Sequence, residues 1–160
     1  MKISQTKLRE LVERYQKKVF PLAFYLIGGN PDLAYEITAD SFVETFITTS
    51  NFANEEQILI KLIFSIVERS RQTRAMPSVE DFGLLEVPSN RKPAVTILRQ
   101  ALQKMSFDMR LLLLLRDQLH LTYSQIARIV NKSEKETRLN MTQARLLLRQ
   151  ELERLLNSAR

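Results

Sequence analysis

Between Lys132 and Arg145 the chain gathers side chains that can grip a polyanion and read its edges. Lys132 and Lys135 are point cations, and Ser133 and Thr137 carry hydroxyls. Arg138, Asn140 and Gln143 are the types that hydrogen-bond base edges in the major groove, and Arg145 adds a second guanidinium fork. This is the chemistry of recognition. For catalysis the sequence offers little: a single histidine, His120, and no cysteine leave no zinc site and no Cys–His or Ser–His pair. No phosphate-binding loop occurs either, so no metal and no cofactor is expected, and an enzyme is not.

Two helices must position this set. Thr122 with Gln125, and Ser133 with Glu136, are capping-box patterns. Apolar Ile126, Ala127 and Val130 line the first helix, and Thr137, Met141, Ala144, Leu148 and Leu152 recur at helical spacing along the second. Only Asn131, Lys132 and Ser133 separate them, which makes a helix-turn-helix whose second helix can enter a DNA groove. Lys132 and Lys135 flank the turn and suit phosphates, whereas Arg138 lies near the helix start, where side chains meet bases. The same hairpin also serves elsewhere as a plain packing unit.

Charge bears on the choice. Residues 1–74 carry 10 Lys and Arg against 9 Asp and Glu, residues 75–92 carry 2 against 3, and residues 93–160 carry 12 against 6. The whole excess of the +6 chain therefore sits with the helix-turn-helix, which implies a polyanionic partner for that half and a different one for the other. At 160 residues the chain suffices for one good core or two small helical domains. Three glycines and abundant Leu, Gln, Arg and Glu favour an all-α fold. No apolar run is long enough to span a membrane, and MKISQTKLRE holds no signal-peptide core, so a cytoplasmic location is expected.

Pro77, Gly83 and Pro88 punctuate residues 75–92, which read as a flexible linker between domains at 1–74 and 93–160. In the first domain a helix from about Ser4 to Ile27, with a kink expected at Pro21, ends at Gly28 and Gly29. A second opens at Asn30–Pro31 and reaches about Thr49; a third starts at Asn54 and runs to about Thr73. On the second, Ala34, Thr38, Ser41, Phe42 and Thr45 share a close-packing arc. Glu36, Asp40 and Glu44 form an acidic stripe beside Val43 and Ile47. Acids at i, i+4 repel, so the stripe does not serve helix stability; it is a solvated face or a partner surface. On the third, Ile58, Leu59, Leu62, Ile63 and Ile66 point inward, while Phe64 faces out among Lys61, Ser65, Glu68 and Arg71, an arrangement able to stack an unpaired base. In the second domain Pro93 opens a helix to Lys104, Ser106 caps one through Leu111–Leu115, and His120 is read as a turn residue.

These residues resemble the extracytoplasmic-function sigma factors of bacterial RNA polymerase. The family's region four, LPxxxRxVxxLRYxEGLSYxEIAexLGISxGTVKSRLxRARxxL, is matched by Met105 to Arg110, Leu115-Arg116, Leu121 to Ala127, Ser133-Glu134, Thr137-Arg138 and Ala144-Arg145. Its region two, DAEDLVQExFLRxW, is matched by Leu33 to Phe46, after Gly29-Asn30-Pro31-Asp32, and Tyr15 and Pro21 suit the family's first helix. The resemblance implies a region-two three-helix domain and a region-four helix-turn-helix domain. The first would bind the core polymerase clamp through Glu36, Asp40, Val43, Glu44 and Ile47, and melt the minus-ten element with contacts from Lys61, Phe64 and Arg71. The second would read promoter DNA at minus thirty-five. The linker, with Glu80, Asp81 and Glu86, would thread toward the polymerase cleft, and an anti-sigma factor would control the whole. The chain departs from the pattern at Ala39 (usually Gln), Phe46 and Ile58 (usually Trp), Phe64-Ser65 (usually Arg-Asn), Leu139-Asn140 (usually Ser-Arg) and Gln143 (usually Arg). The leading expectation is a sigma factor. The alternatives are a sigma-like decoy that sequesters an anti-sigma factor, which the departures favour and the basic half opposes, and a stand-alone helix-turn-helix regulator.

Overall fold

The computed structural model describes residues 4–50, 53–73 and 92–158. The chain divides into two compact units, Met1–Ala75 and Met76–Arg160. The segment 75–91 of the expected linker lies outside the described residues, as do Glu80, Asp81 and Glu86. All regular structure among the described residues is helical: α1 (Gln5–Leu26), α2 (Pro31–Thr48), α3 (Glu55–Gln72), α4 (Lys92–Lys104), α5 (Phe107–Leu113), a π-helical segment (Leu114–Gln118), α6 (Tyr123–Val130) and α7 (Glu134–Ser158).

In the first unit, short-range chemistry sets the helix ends. Ser4, Asn30 and Asn54 each cap their helix with a side-chain oxygen that accepts a backbone N–H three residues on, from Lys7, Leu33 and Gln57. The helix α1 continues through Pro21 and stops where Gly28 and Gly29 take φ of 88° and 97°. There the Gly29 N–H reaches back to the Phe24 carbonyl at 2.8 Å, a C-terminal closure that only a left-handed residue permits. Three helices pack pairwise around Leu11, Val19, Leu22, Phe24, Leu62, Ile63 and Ile66, all fully buried. The small arc of α2, Ala34, Thr38, Ser41, Phe42 and Thr45, faces this core as its spacing demands. At the start of α3, Glu55 accepts from Lys7 Nζ (3.3 Å), from Tyr15 Oη (3.2 Å) and from Arg14, tying α1 to α3.

In the second unit α7 packs against α4, α5 and α6. The helix α4 begins at Lys92, one residue before the expected Pro93. Ser106 caps α5 by accepting from the Met109 N–H at 3.3 Å. The run Leu111–Leu115 is buried throughout, and from Leu114 the helix widens into π geometry. It closes at His120, whose φ of 56° is left-handed as expected of a turn residue.

Candidate nucleic-acid interface

The helix-turn-helix is built by caps on both sides of a tight turn. Thr122 Oγ1 accepts from the Gln125 N–H (3.1 Å) while Gln125 Oε1 accepts from the Thr122 N–H (2.9 Å), so both halves of the capping box are made. At the other end of α6, Asn131 takes φ 54° and ψ 51°, and its N–H donates to the Ala127 carbonyl. The Lys132 N–H shares that carbonyl at 3.1 Å. Asparagine tolerates this left-handed corner better than most residues, which lets three residues reverse the chain. Ser133 Oγ then accepts from the Glu136 N–H at 3.1 Å and starts α7. The inner faces are Ile126, Ala127 and Ile129 on α6, with Thr137, Met141 and Ala144 on α7. Ile129, three residues after Ile126 and so on the same helical face, is buried as well, and the expected Val130 is half-buried.

Lys132, Ser133, Lys135, Arg138, Gln143 and Arg145 lie exposed and Asn140 half-exposed. Thr137 corrects the sequence-based expectation: its side chain is 0% exposed and its hydroxyl donates to the Ser133 carbonyl at 2.8 Å. It is buried in the first turn of α7, in the inner stripe with Met141 and Ala144. Two of the cations are steered by neighbours. The Arg138 guanidinium pairs with Glu134 at 3.0 Å and lies over the Tyr123 ring, 4.3 Å from its centroid. Arg116 lies over the same ring at 4.6 Å and donates to the Leu121 carbonyl at 2.7 Å. Arg145 pairs with Asp117 at 3.0 Å. Tyr123 and Asp117 therefore orient the interface, roles that sequence spacing alone does not carry. On the outer face of α7 Leu139 stands 63% exposed.

In the first unit Glu36 and Asp40 face outward on α2, beside Val43 (57% exposed) and Ile47 (78%). Glu44 is turned instead onto α3: it accepts from Ser65 Oγ at 2.7 Å and pairs with Arg69 at 3.0 Å, while Asp40 lies 3.8 Å from Arg69. Hydrogen bonds from Ser65 and then Arg69 hold the Glu44 carboxyl below its ordinary range. Ser65, expected on the outer face with Phe64, is buried by this contact, a second correction. Phe64 is 46% exposed, Arg71 is exposed, and Lys61 donates to the Thr48 carbonyl at 3.4 Å. Among the described residues no group of three His, Cys, Asp or Glu could hold a metal.

Residues 96–148 match the family model described as sigma-70, region 4. That match spans about a third of the chain and lies within the second unit. The chain's fold is also similar to CnrH, in a structure of CnrH in complex with the cytosolic domain of CnrY. That match has a TM-score of 0.72 over 97% of this chain and 90% of that one, at 16% identity, a likeness of fold. No curated protein matches the sequence. A region 4 match in the second unit and a fold similar to that of CnrH over nearly the whole chain both agree with the sigma-like architecture expected from the sequence. Helices α6 and α7, with the turn between them, lie within the matched residues, except for the end of α7. No helix of the described residues is long and apolar enough to cross a membrane.

Proposed function

We propose that this chain is a dissociable sigma factor that brings core RNA polymerase to promoters, contributing recognition and no chemistry of its own. The observation that carries the reading is the region 4 helix-turn-helix, whose exposed Lys132, Lys135, Arg138 and Arg145 lie in the basic half of the chain. Lys132 and Lys135 hold phosphates, while the outer face of α7, with Arg138, Asn140 and Gln143, lies toward the bases. The first domain docks on the polymerase clamp through Glu36, Asp40, Val43 and Ile47, with Lys61, Phe64 and Arg71 near the minus-ten strand. The fold neighbour CnrH is seen with the cytosolic domain of CnrY, which supports an anti-sigma partner and a cytoplasmic site of action for this chain.

Run-off transcription with the host core polymerase tests the proposal. Added chain should yield transcripts that start at discrete promoters. If the chain neither binds core polymerase nor supports initiation, the reading is wrong. The decoy reading keeps one observation in its favour: Phe64 and Ser65 stand where the family carries Arg-Asn, and Ser65 is spent on Glu44. Tight binding to an anti-sigma factor without transcription is the result that selects it.

A further inference from the structure

Reading bases from α7 poses a problem that the structure answers. The guanidinium of Arg138, the residue type best suited to guanine, is drawn sideways by Glu134 and by the Tyr123 ring. Thr142, one turn on, donates its hydroxyl to the Arg138 carbonyl at 3.1 Å and so spends it within the helix. A shallow hollow on this face is lined by Glu134, Lys135, Arg138, Leu139 and Thr142, and its most prominent apolar group is the Leu139 side chain. A single exposed leucine is common on any surface. Here it occupies the second turn of a recognition helix, the stretch that meets base edges. It is flanked by Lys135, which can fix the helix on the phosphates.

We infer that Leu139 is a specificity-determining residue of the promoter contact, seating the C5-methyl of one thymine. The inference rests on the promoter-reading function proposed above. Thymine alone presents a methyl group in the major groove, and apolar side chains select for it by burial. Leu146 shares the outer face but lies about 10 Å further along the helix, beyond the turns that reach the bases. The element read by α7 should therefore contain one thymine whose preference depends on its methyl rather than on a hydrogen bond.

The test uses the full chain bound to core polymerase and duplexes enriched from a random pool. In the element read by the second domain, each thymine is replaced in turn by deoxyuridine, which pairs identically but lacks the methyl. For the parent, one replacement should weaken binding about fourfold, the value of one buried methyl. In Leu139→Ala, exposed and harmless to the fold, that effect should vanish. An enriched element without thymine, no effect of any replacement, or an effect that persists in Leu139→Ala overturns the inference while promoter reading stands. If no sequence is enriched at all, promoter reading fails and the inference falls with it.

Discussion

Ser65 Oγ donates to Glu44 Oε2 at 2.7 Å, joining α3 to the last acid of the α2 stripe. The acids of the stripe thereby differ in their ties to α3. Glu44, though still exposed, is tied to α3 by Ser65 and Arg69, Asp40 lies 3.8 Å from the same Arg69, and Glu36 is exposed. Three residues on one helical spacing look alike in sequence, but their partners on α3 separate them.

Charge reversal at the outward acids should weaken the complex with core polymerase. Breaking a desolvated interfacial pair costs several kcal/mol, whereas an exposed charge is worth little. Because Asp40 also neighbours Arg69 at 3.8 Å, Glu36→Lys is the cleaner variant and Asp40→Lys its companion. Pull-down of core polymerase with the folded variants should fall about tenfold or more. Retention equal to the parent would mean that the α2 face is simply solvated.

The Glu44 contact should show in the acid limb of stability. Its carboxyl is favoured as the anion in the folded domain. Its contribution is therefore complete above the unfolded value of about 4.3 and is lost as pH falls through the lower folded value. Parent and Glu44→Gln should differ most in melting temperature near neutrality and converge in acid. Glu55, also held low by Arg14 and Lys7, titrates in the same window but is common to both proteins. A difference that stays constant with pH would rule the contact out as a source of pH dependence.

Thr137→Val separates fold from recognition. The hydroxyl bond to the Ser133 carbonyl disappears, while the Thr137 N–H continues to satisfy that carbonyl at 3.0 Å. The loss should be about 1 kcal/mol of stability, with promoter affinity unchanged. A marked fall in affinity at full folding would return Thr137 to the DNA surface.

Lys135 and Leu139 should differ in salt response. Lys135→Ala removes one phosphate contact, so binding weakens for every sequence and the slope of log affinity against log salt drops by about one. Leu139→Ala carries no charge change and should leave the slope intact. Salt titrations of both variants on one promoter duplex make the comparison, and equal slopes for parent and Lys135→Ala would remove Lys135 from the interface.

Helix starts were legible from sequence because their chemistry spans three residues: Asn30, Asn54, Ser106, Thr122 and Ser133 all cap as their spacing implies. His120 was legible for the same local reason. What escaped was set by distant partners or by missing phase. Ser65 read as surface and Thr137 as both an inner-stripe position and a DNA contact, yet contacts across a helix pair and within the first turn of α7 bury them. Arg138 was legible as a cation, but its direction depends on Tyr123 from the preceding helix. The five leucines at 111–115 are apolar on every side, so their pattern has no phase and could not announce the wider helix that begins among them.

That widening has a consequence for how this domain tolerates changes in length. A π turn accommodates one residue more than an α turn, and each residue advances a helix by about 100°. The segment Leu114–Gln118 thus acts as an angular offset, and two of its side chains are spent on α6 and α7: Arg116 on Tyr123, Asp117 on Arg145. Deleting one residue here would restore regular α geometry and leave helical content almost unchanged, while swinging both tethers away from their partners. Such a variant would look intact to circular dichroism and have lost the alignment of α6 and α7.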